Sequence, residues 1–490
     1  MKTLKIIIPF LLIAVAFRAC DDANLIGSSD KYGFYSVNGD MEYTQQENYK
    51  GEDENPFLKV SEEPVSTFSV DADGGSYSNT RRFLNLGQNP PKESVRIEEY
   101  INYFTFDYAD PTDGENVSLN SEISTCPWNE DHYLLRLGMK GKSIAEKDLP
   151  DANFVFLIDV SGSMSTPEKL ETLKSGFKLM ADNMRDQDRV AIVTYAGSAA
   201  VLLESTYGDE KKEIKNAIDK LGAGGSTAGA EGILTAYEIA EENFIPGGNN
   251  RVILGSDGDF NVGPSSTEEL IELIEEKRES GIYLTVLGVG TGNLNDHMME
   301  QIANKGNGNY EYIDNSDQLK KVFVYERSKF YSVAKDSKIQ ISFNENMVEQ
   351  YRLIGYENRS LEAEDFEDDS TDAGEIGAGQ TITAMYELVL EDNSGAEKYA
   401  QFDFRYKKPG SEVSQLIQHE VTGTPRAISQ ASENMRFATA VTCFGLLARE
   451  SEYSGDADKK MVIDLAKDAS SFDPDGWRGE FIELAEDFQE

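Results

Sequence analysis

Apolar and polar positions divide the chain into stretches of different period. Between residues 152 and 331, strand-like and helix-like text alternate. Phe154–Ile158 is a continuous apolar run, as in a strand buried on both faces. Pro167 suits the first turn of a helix in which Leu170, Leu173, Phe177, Met180 and Met184 recur at helical spacing. Further strands are predicted at Arg189–Tyr195, Arg251–Leu254 and Tyr283–Val289. Helices are predicted at Glu213–Leu221, Gly229–Asn243, Glu268–Glu279, Asp296–Lys305 and Ser316–Tyr325. This alternation predicts an α/β, Rossmann-like domain: a mostly parallel central sheet with helices on both faces.

The flanks read differently. Residues 55–151 mix turns with short helices at Arg81–Leu86 and Val95–Tyr103 and a strand at Tyr133–Gly138. Residues 332–427 are β-rich. Ser337–Phe343 sets Lys338, Gln340 and Ser342 against Ile339, Ile341 and Phe343, the alternation of a half-exposed strand, and Thr381–Leu390 and Tyr399–Tyr406 repeat the style. Residues 428–490 return to helices: Phe437, Val441 and Phe444 share a face, and Asp473-Pro474 caps a last helix carrying Trp477, Phe481, Leu484 and Phe488. Neither β-rich flank holds an obvious complete core. One β-sandwich-like domain built from both, with the α/β domain inserted into it and the last helices packed on it, is therefore expected.

The first residues carry an export signal. Lys2 and Lys5 precede an apolar run from Ile6 to Phe17 that is too short to span a bilayer. Cleavage after Ala19 by ordinary signal peptidase would put Phe17 at −3, a poor fit. Phe17-Arg18-Ala19-Cys20 resembles a bacterial lipobox, with Arg18 atypical, so residues 1–20 are expected to be a lipoprotein signal with Cys20 as the lipidated residue. An uncleaved anchor or a soluble secreted form are the alternatives. Residues 21–54 are polar and read as a flexible tether. The predicted location is the bacterial cell envelope, at the outer membrane or cell surface.

Composition narrows the chemistry. Across 490 residues, 46 Lys and Arg face 88 Asp and Glu, a net charge of −42 that repels phosphate backbones and argues against nucleic acid as a partner. Three cysteines exclude a disulfide scaffold, and Cys443, in an apolar helical stretch, reads as a buried thiol. His132, His297 and His419 are far apart in sequence and form no histidine-rich zinc motif.

The strongest chemical signal is Asp159-Val160-Ser161-Gly162-Ser163-Met164, where a buried strand ends and a helix is about to begin. Ligands of open α/β sheets bind just outside the carboxyl ends of the strands. An acid and two hydroxyls there offer oxygen ligands to a hard cation such as Mg²⁺. Two more loops join that edge: Gly222–Thr227, running into a helix, and Gly255–Asp259, following an apolar strand. The first lacks the Gly-Lys-Ser/Thr of a phosphate loop. Asp259 and Asn261 lie close to Asp257 in sequence and read as outer partners or turn residues. Asp71-x-Asp73 with Ser76 lacks a full calcium-loop spacing and reads as a turn, and the acids of Glu362–Asp372 read as a solvated loop.

Asp159, Ser161, Ser163, Thr227 and Asp257 resemble the metal-ion-dependent adhesion site of a von Willebrand factor type A domain, whose pattern is D-x-S-x-S, a separate Thr and a separate Asp. Beyond it, Ser66–Asp71, Arg96–Phe104 and Cys126–Asn129 resemble the segment preceding this domain in YfbK-type bacterial lipoproteins. Tyr351–Arg359 and Asp372–Gly379 resemble that family's C-terminal region. Gly74-Gly75 and Ser256 depart from its pattern without removing a ligand. The resemblance implies that Ser161, Ser163 and Thr227 coordinate Mg²⁺ (or Mn²⁺) directly and that Asp159 and Asp257 act through bound water. A protein partner presenting Asp or Glu would then complete the coordination. It implies a binding module and no enzyme. One alternative is a structural envelope protein whose site is filled by an acid of its own C-terminal region. Another is a metal-assisted hydrolase with Asp259 as its base.

Overall fold

A computed structural model of the chain describes residues 47–112, 114–225, 229–258, 267–391 and 398–489. Cys20, the signal, the tether up to residue 46, Thr227, Asp259 and Asn261 lie outside the described residues.

The first flank contributes strands β1 (Leu58–Lys59), β2 (Val65–Ser69), β3 (Val117–Thr125) and β4 (Tyr133–Gly141). Helices α1 (Gly75–Asn85) and α2 (Ile97–Asn102) lie between β2 and β3. The α/β domain follows as β5 (Ala152–Asp159), α3 (Thr172–Asn183), β6 (Arg189–Tyr195), β7 (Ala199–Tyr207), α4 (Lys211–Asp219) and α5 (Gly229–Glu242). It continues through β8 (Asn249–Ser256), α6 (Thr267–Arg278), β9 (Tyr283–Val289), α7 (Asp296–Lys305), β10 (Tyr310–Ile313) and α8 (Ser316–Lys320). The second flank adds β11 (Ser332–Phe343), β12 (Val348–Ile354), β13 (Gly374–Gly377), β14 (Thr381–Leu390), β15 (Lys398–Lys407) and β16 (Ser414–Thr422). It ends in helices α9 (Glu433–Ala448), α10 (Lys459–Lys467) and α11 (Trp477–Asp487).

The α/β sheet runs β10-β9-β8-β5-β6-β7, parallel except for β7. Strand β5 is central and buried throughout, which is why its sequence is an unbroken apolar run. Alternate residues serve opposite faces. Phe156 and Ile158 join Leu173, Phe177 and Ile218 on one side, and Val155 and Leu157 join Ile233, Tyr237 and Ile274 on the other.

Both flanks supply the two antiparallel sheets. One is ordered β1-β12-β14-β4-β3; the other is β13-β11-β15-β16, with β2 pairing β11. Central strand β14 thus has β12 from its own flank on one side and β4 from the other flank on the other. Leu135, Leu137, Tyr386, Ile339, Ile341 and Phe402 share the core between the sheets. The opposite face of the first sheet, with Leu134 and Met385, is covered by α2 and α9–α11 through Tyr100, Phe104, Phe437, Phe444 and Phe481. The expected α/β domain inserted in a β-rich flanking domain, with C-terminal helices, is the architecture observed.

Several local expectations are corrected. Helix α1 starts at Gly75, well before Arg81, because it packs against β10: a Cβ on Gly75 would lie 2.6 Å from the Tyr310 ring. Lys338 is buried, its ammonium capped by the backbone carbonyls of Asp365 (2.9 Å) and Asp368, so β11 is not half-exposed at that position. The acidic stretch after Glu362 is anchored by buried Phe366 and by Asp372, which accepts a 2.5 Å bond from Arg278. The end of the expected tether is docked: Asn48 N donates to Leu294 O (2.8 Å) and Ser451 Oγ to Glu54 (2.8 Å). No helix of the described residues is long and apolar enough to cross a membrane.

Candidate metal centre

The sheet register builds the site. Ile158 pairs with Gly255, and Asp159 with Tyr195, so Asp159 ends β5 beside the ends of β8 and β6. Asp159 Oδ1 accepts the Ser161 N–H at 2.8 Å, a tight turn that brings the two serines back over the strand end. Ser161 Oγ and Ser163 Oγ are 3.0 Å apart. Two adjacent ligands of an octahedral Mg²⁺, each at about 2.1 Å, would stand about 3 Å apart, so the pair fits such an ion.

The neighbouring glycine loop is tied to the same place. Gly224 N donates to Val160 O (2.7 Å) and Gly162 N to Gly225 O (3.1 Å). Gly225 takes φ +102°, a conformation that favours glycine.

Asp159 and Asp257 are both fully buried. Asp159 Oδ2 accepts from Ser256 Oγ (3.1 Å) and the Tyr195 hydroxyl (3.2 Å), which fixes the carboxylate. Burial pushes the Asp159 carboxyl above its ordinary range. Hydrogen bonds from Ser161 and Ser256 pull it down, and the charge of Asp257 pushes it up. A buried pair of this kind favours a cation beside it.

Sequence reasoning missed the outer partners. Lys169, just before α3, is 7% exposed at its side chain, and its ammonium donates to Asp257 Oδ2 (2.9 Å) and Asn293 Oδ1 (2.8 Å). Asn293 Nδ2 also donates to Asp257 Oδ2 (3.1 Å). Gly290, at φ +80°, leaves room for the lysine stem; a Cβ there would lie 2.4 Å from it. Asn293 belongs to a fourth loop at the carboxyl edge, after β9, so the strand-end rule could have found it. Ser256 was visible only as a departure from the pattern. The N-terminal segment reaches the same loop: Glu47 accepts from Gly292 N (2.9 Å) and pairs with Arg82 (2.9 Å).

Of the five predicted metal residues, the structure describes Asp159, Ser161, Ser163 and Asp257. It sets the first three together at the end of β5, and Asp257 directly follows β8. A second acidic group, Asp71, Asp73 and Glu99, gathers buried carboxylates within 4.8 Å of one another. A cation is already built in there, since Arg359 pairs with Asp71 (2.9 Å), Asp73 (3.5 Å) and Glu300 (2.8 Å).

Comparison with known proteins follows this division of the chain. Residues 153–324 match the von Willebrand factor type A domain, residues 43–136 a von Willebrand factor model, and residues 328–490 the C-terminal model of the uncharacterized protein YfbK. The uncharacterized protein YfbK of Escherichia coli K12 is 42% identical over 465 residues, covering 89% of this chain and 80% of that protein. The chain belongs to the YfbK family. A UPF0353 protein of Mycolicibacterium gilvum is 29% identical over 195 residues, 35% of this chain and 58% of that protein. Among solved structures, a von Willebrand factor type A protein from Catenulispora acidiphila aligns with a TM-score of 0.45 at 15% identity, over 78% of this chain and 91% of that one. Domains of this type are often protein-interaction modules.

Proposed function

We propose that this YfbK-family protein is a cell-envelope lipoprotein, anchored through Cys20, that captures an acidic group of a protein partner through a Mg²⁺ (or Mn²⁺) held at its type A domain. Ser161, Ser163 and Thr227 would hold the ion directly, and Asp159 and Asp257 through water. The observation that carries the reading is the convergence of Asp159, Ser161 and Ser163 at the end of β5, with the two hydroxyls 3.0 Å apart. The ion supplies Lewis acidity toward one further oxygen ligand.

Lys169 sharpens this reading. Two carboxylates and one ammonium sum to −1, so a divalent ion would leave the site at −1 + 2 = +1. An acidic side chain of a partner would neutralise that charge, whereas the −42 body disfavours acidic surfaces at long range. The local cation would thus select a partner whose shape lets one carboxylate reach the strand edge. Pull-down from envelope extract, in Mg²⁺ against EDTA, tests the reading. A partner retained only with the metal, and lost with Asp159→Ala, is expected; identical capture in EDTA would contradict it.

A further inference from the structure

A cavity of about 530 Å³ lies away from the metal centre, within the size range of small-ligand sites. Its walls come from the docked N-terminal segment, the start of α2, the turn after β12 and the turn after α9. Eight acidic and four basic side chains line it. Each of the four bases already has a carboxylate partner: Lys50 on Glu52, Lys92 on Glu450, Arg96 on Asp296, and Arg449 on Glu357. The wall therefore keeps an excess of negative charge.

Two buried polar atoms of lining residues lack a hydrogen-bond partner among the described residues, Glu98 Oε2 and Arg96 Nη2. Glu98 decides what the cavity prefers. Its residue is 1% exposed, the acids outnumber the bases, and Arg96 is otherwise engaged by Glu99 and Asp296. An orphaned buried acceptor of this kind is destabilising until a donor reaches it. Burial, with the charges of Glu357, Asp71 and Glu99, drives the Glu98 carboxyl up to about 8, so a cation placed there relieves both the desolvation and the repulsion.

A bare divalent ion does not match. It requires about six or more oxygen ligands at short range. Among the described residues the one metal-compatible carboxylate grouping is Asp71, Asp73 and Glu99, outside this cavity's lining and already held by Arg359 on the two aspartates and Arg96 on Glu99. We propose that this cavity is a binding site for a small organic amine, with its primary ammonium seated on Glu98 and its body filling the space between α2 and the turn after α9. An ammonium brings its own three donors and one charge, and its carbon chain uses a volume that an ion would leave to water.

Calorimetric titration of the whole protein with 1,5-diaminopentane at about pH 9, where Glu98 is ionised and the diamine still carries its ammonium groups, in EDTA so that the metal centre plays no part, tests this. Binding of the diamine is expected at millimolar concentration, with none for the isosteric 1,5-pentanediol. Glu98→Gln should weaken the diamine about tenfold, the loss of one charged hydrogen bond. Glu450→Lys places a cation on a side chain that is 75% exposed at the rim, where folding is not at stake, and should weaken binding about two- to fivefold. No heat from the diamine, equal binding of the diol, or an unchanged affinity in Glu98→Gln would overturn the proposal. Should Glu98→Gln fail to fold, an unchanged affinity in Glu450→Lys would overturn it.

Discussion

Arg81 ties together three stretches of chain that are far apart in sequence, and its removal tests whether they form one cooperative body. The side chain is fully buried on α1. Its Nε and Nη2 donate to Asp314 at 2.8 and 2.6 Å, Nη2 also to Gln318 (2.9 Å), and Nη1 to the Tyr103 hydroxyl (2.7 Å) and Glu480 on α11 (2.9 Å). Glu480 is 31% exposed and can turn toward water, but Asp314 is 3% exposed and cannot. Arg81→Met therefore leaves a buried carboxylate without its counter-charge, which costs about 3–5 kcal/mol. If Tyr43–Glu490 melts as one body, at about 2.1 cal/mol/K per residue, that lowers Tm by about 3–5 °C. Replacing both partners, Arg81→Met with Asp314→Leu, should recover at least half the loss, since a buried ion pair and an apolar pair of similar volume are often equivalent. Arg81→Lys should not rescue, because an ammonium lacks the planar fork that serves Asp314 in two bonds. Differential scanning fluorimetry on the four proteins reads all of this. A drop below about 2 °C for Arg81→Met, or no recovery in the double variant, would refute the reasoning.

Three further outcomes are expected. Glu98 is raised to about 8 in the folded chain against an ordinary 4.5, so the stability it contributes is present in full below about pH 4.5 and lost as pH rises through 8. Unfolding free energy should fall over that window by at most one proton, about 1.4 kcal/mol per pH unit, with Tm falling alongside, and Glu98→Gln should flatten it; an unchanged pH profile would refute the assignment. Cys20→Ser should abolish labelling by a fatty-acid analogue and release the protein from membranes, and equal labelling of both forms would count against the anchor. Residues 332–490 expressed alone should be poorly soluble, because β14 loses β4, β12 loses β1 and β11 loses β2; a monomeric, cooperatively melting fragment would contradict the shared sheets.

What the sequence disclosed follows from where the periodic signal is strong. Strands β6, β9 and β14 and helix α7 match their predicted bounds, since each carries a full apolar face or run. Three of the strands that were missed, β7, β16 and β13, carry little signal. In β7 only Leu203 is buried, because the strand lies at the sheet edge, and β16 buries only Val421. Strand β13 is four residues long, too short to show a period. Helix α1 begins in Gly-Ser-Tyr-Ser, poor helix formers whose conformation is imposed by packing on Tyr310. At the metal centre, the acid–hydroxyl spacing was legible because one short loop carries it. Lys169 and Asn293 were not, because their meaning depends on two other loops folding against Asp257. The charge of Lys338 suggested solvent, and only the fold of Ala363–Phe366 and the turn after it explains how carbonyl oxygens replace water there.

The proposed function stands on a divalent ion held at the β5 strand end with Asp257. Calorimetric titration of the metal-free protein with Mn²⁺, in wild type and in Asp159→Ala, addresses it most directly. About one Mn²⁺ per chain is expected for the wild type, competed by Mg²⁺, with affinity lost in Asp159→Ala while the melting transition of the apo protein persists, since these loops lie at the rim of the sheet. Equal Mn²⁺ affinity in the two proteins would contradict the account.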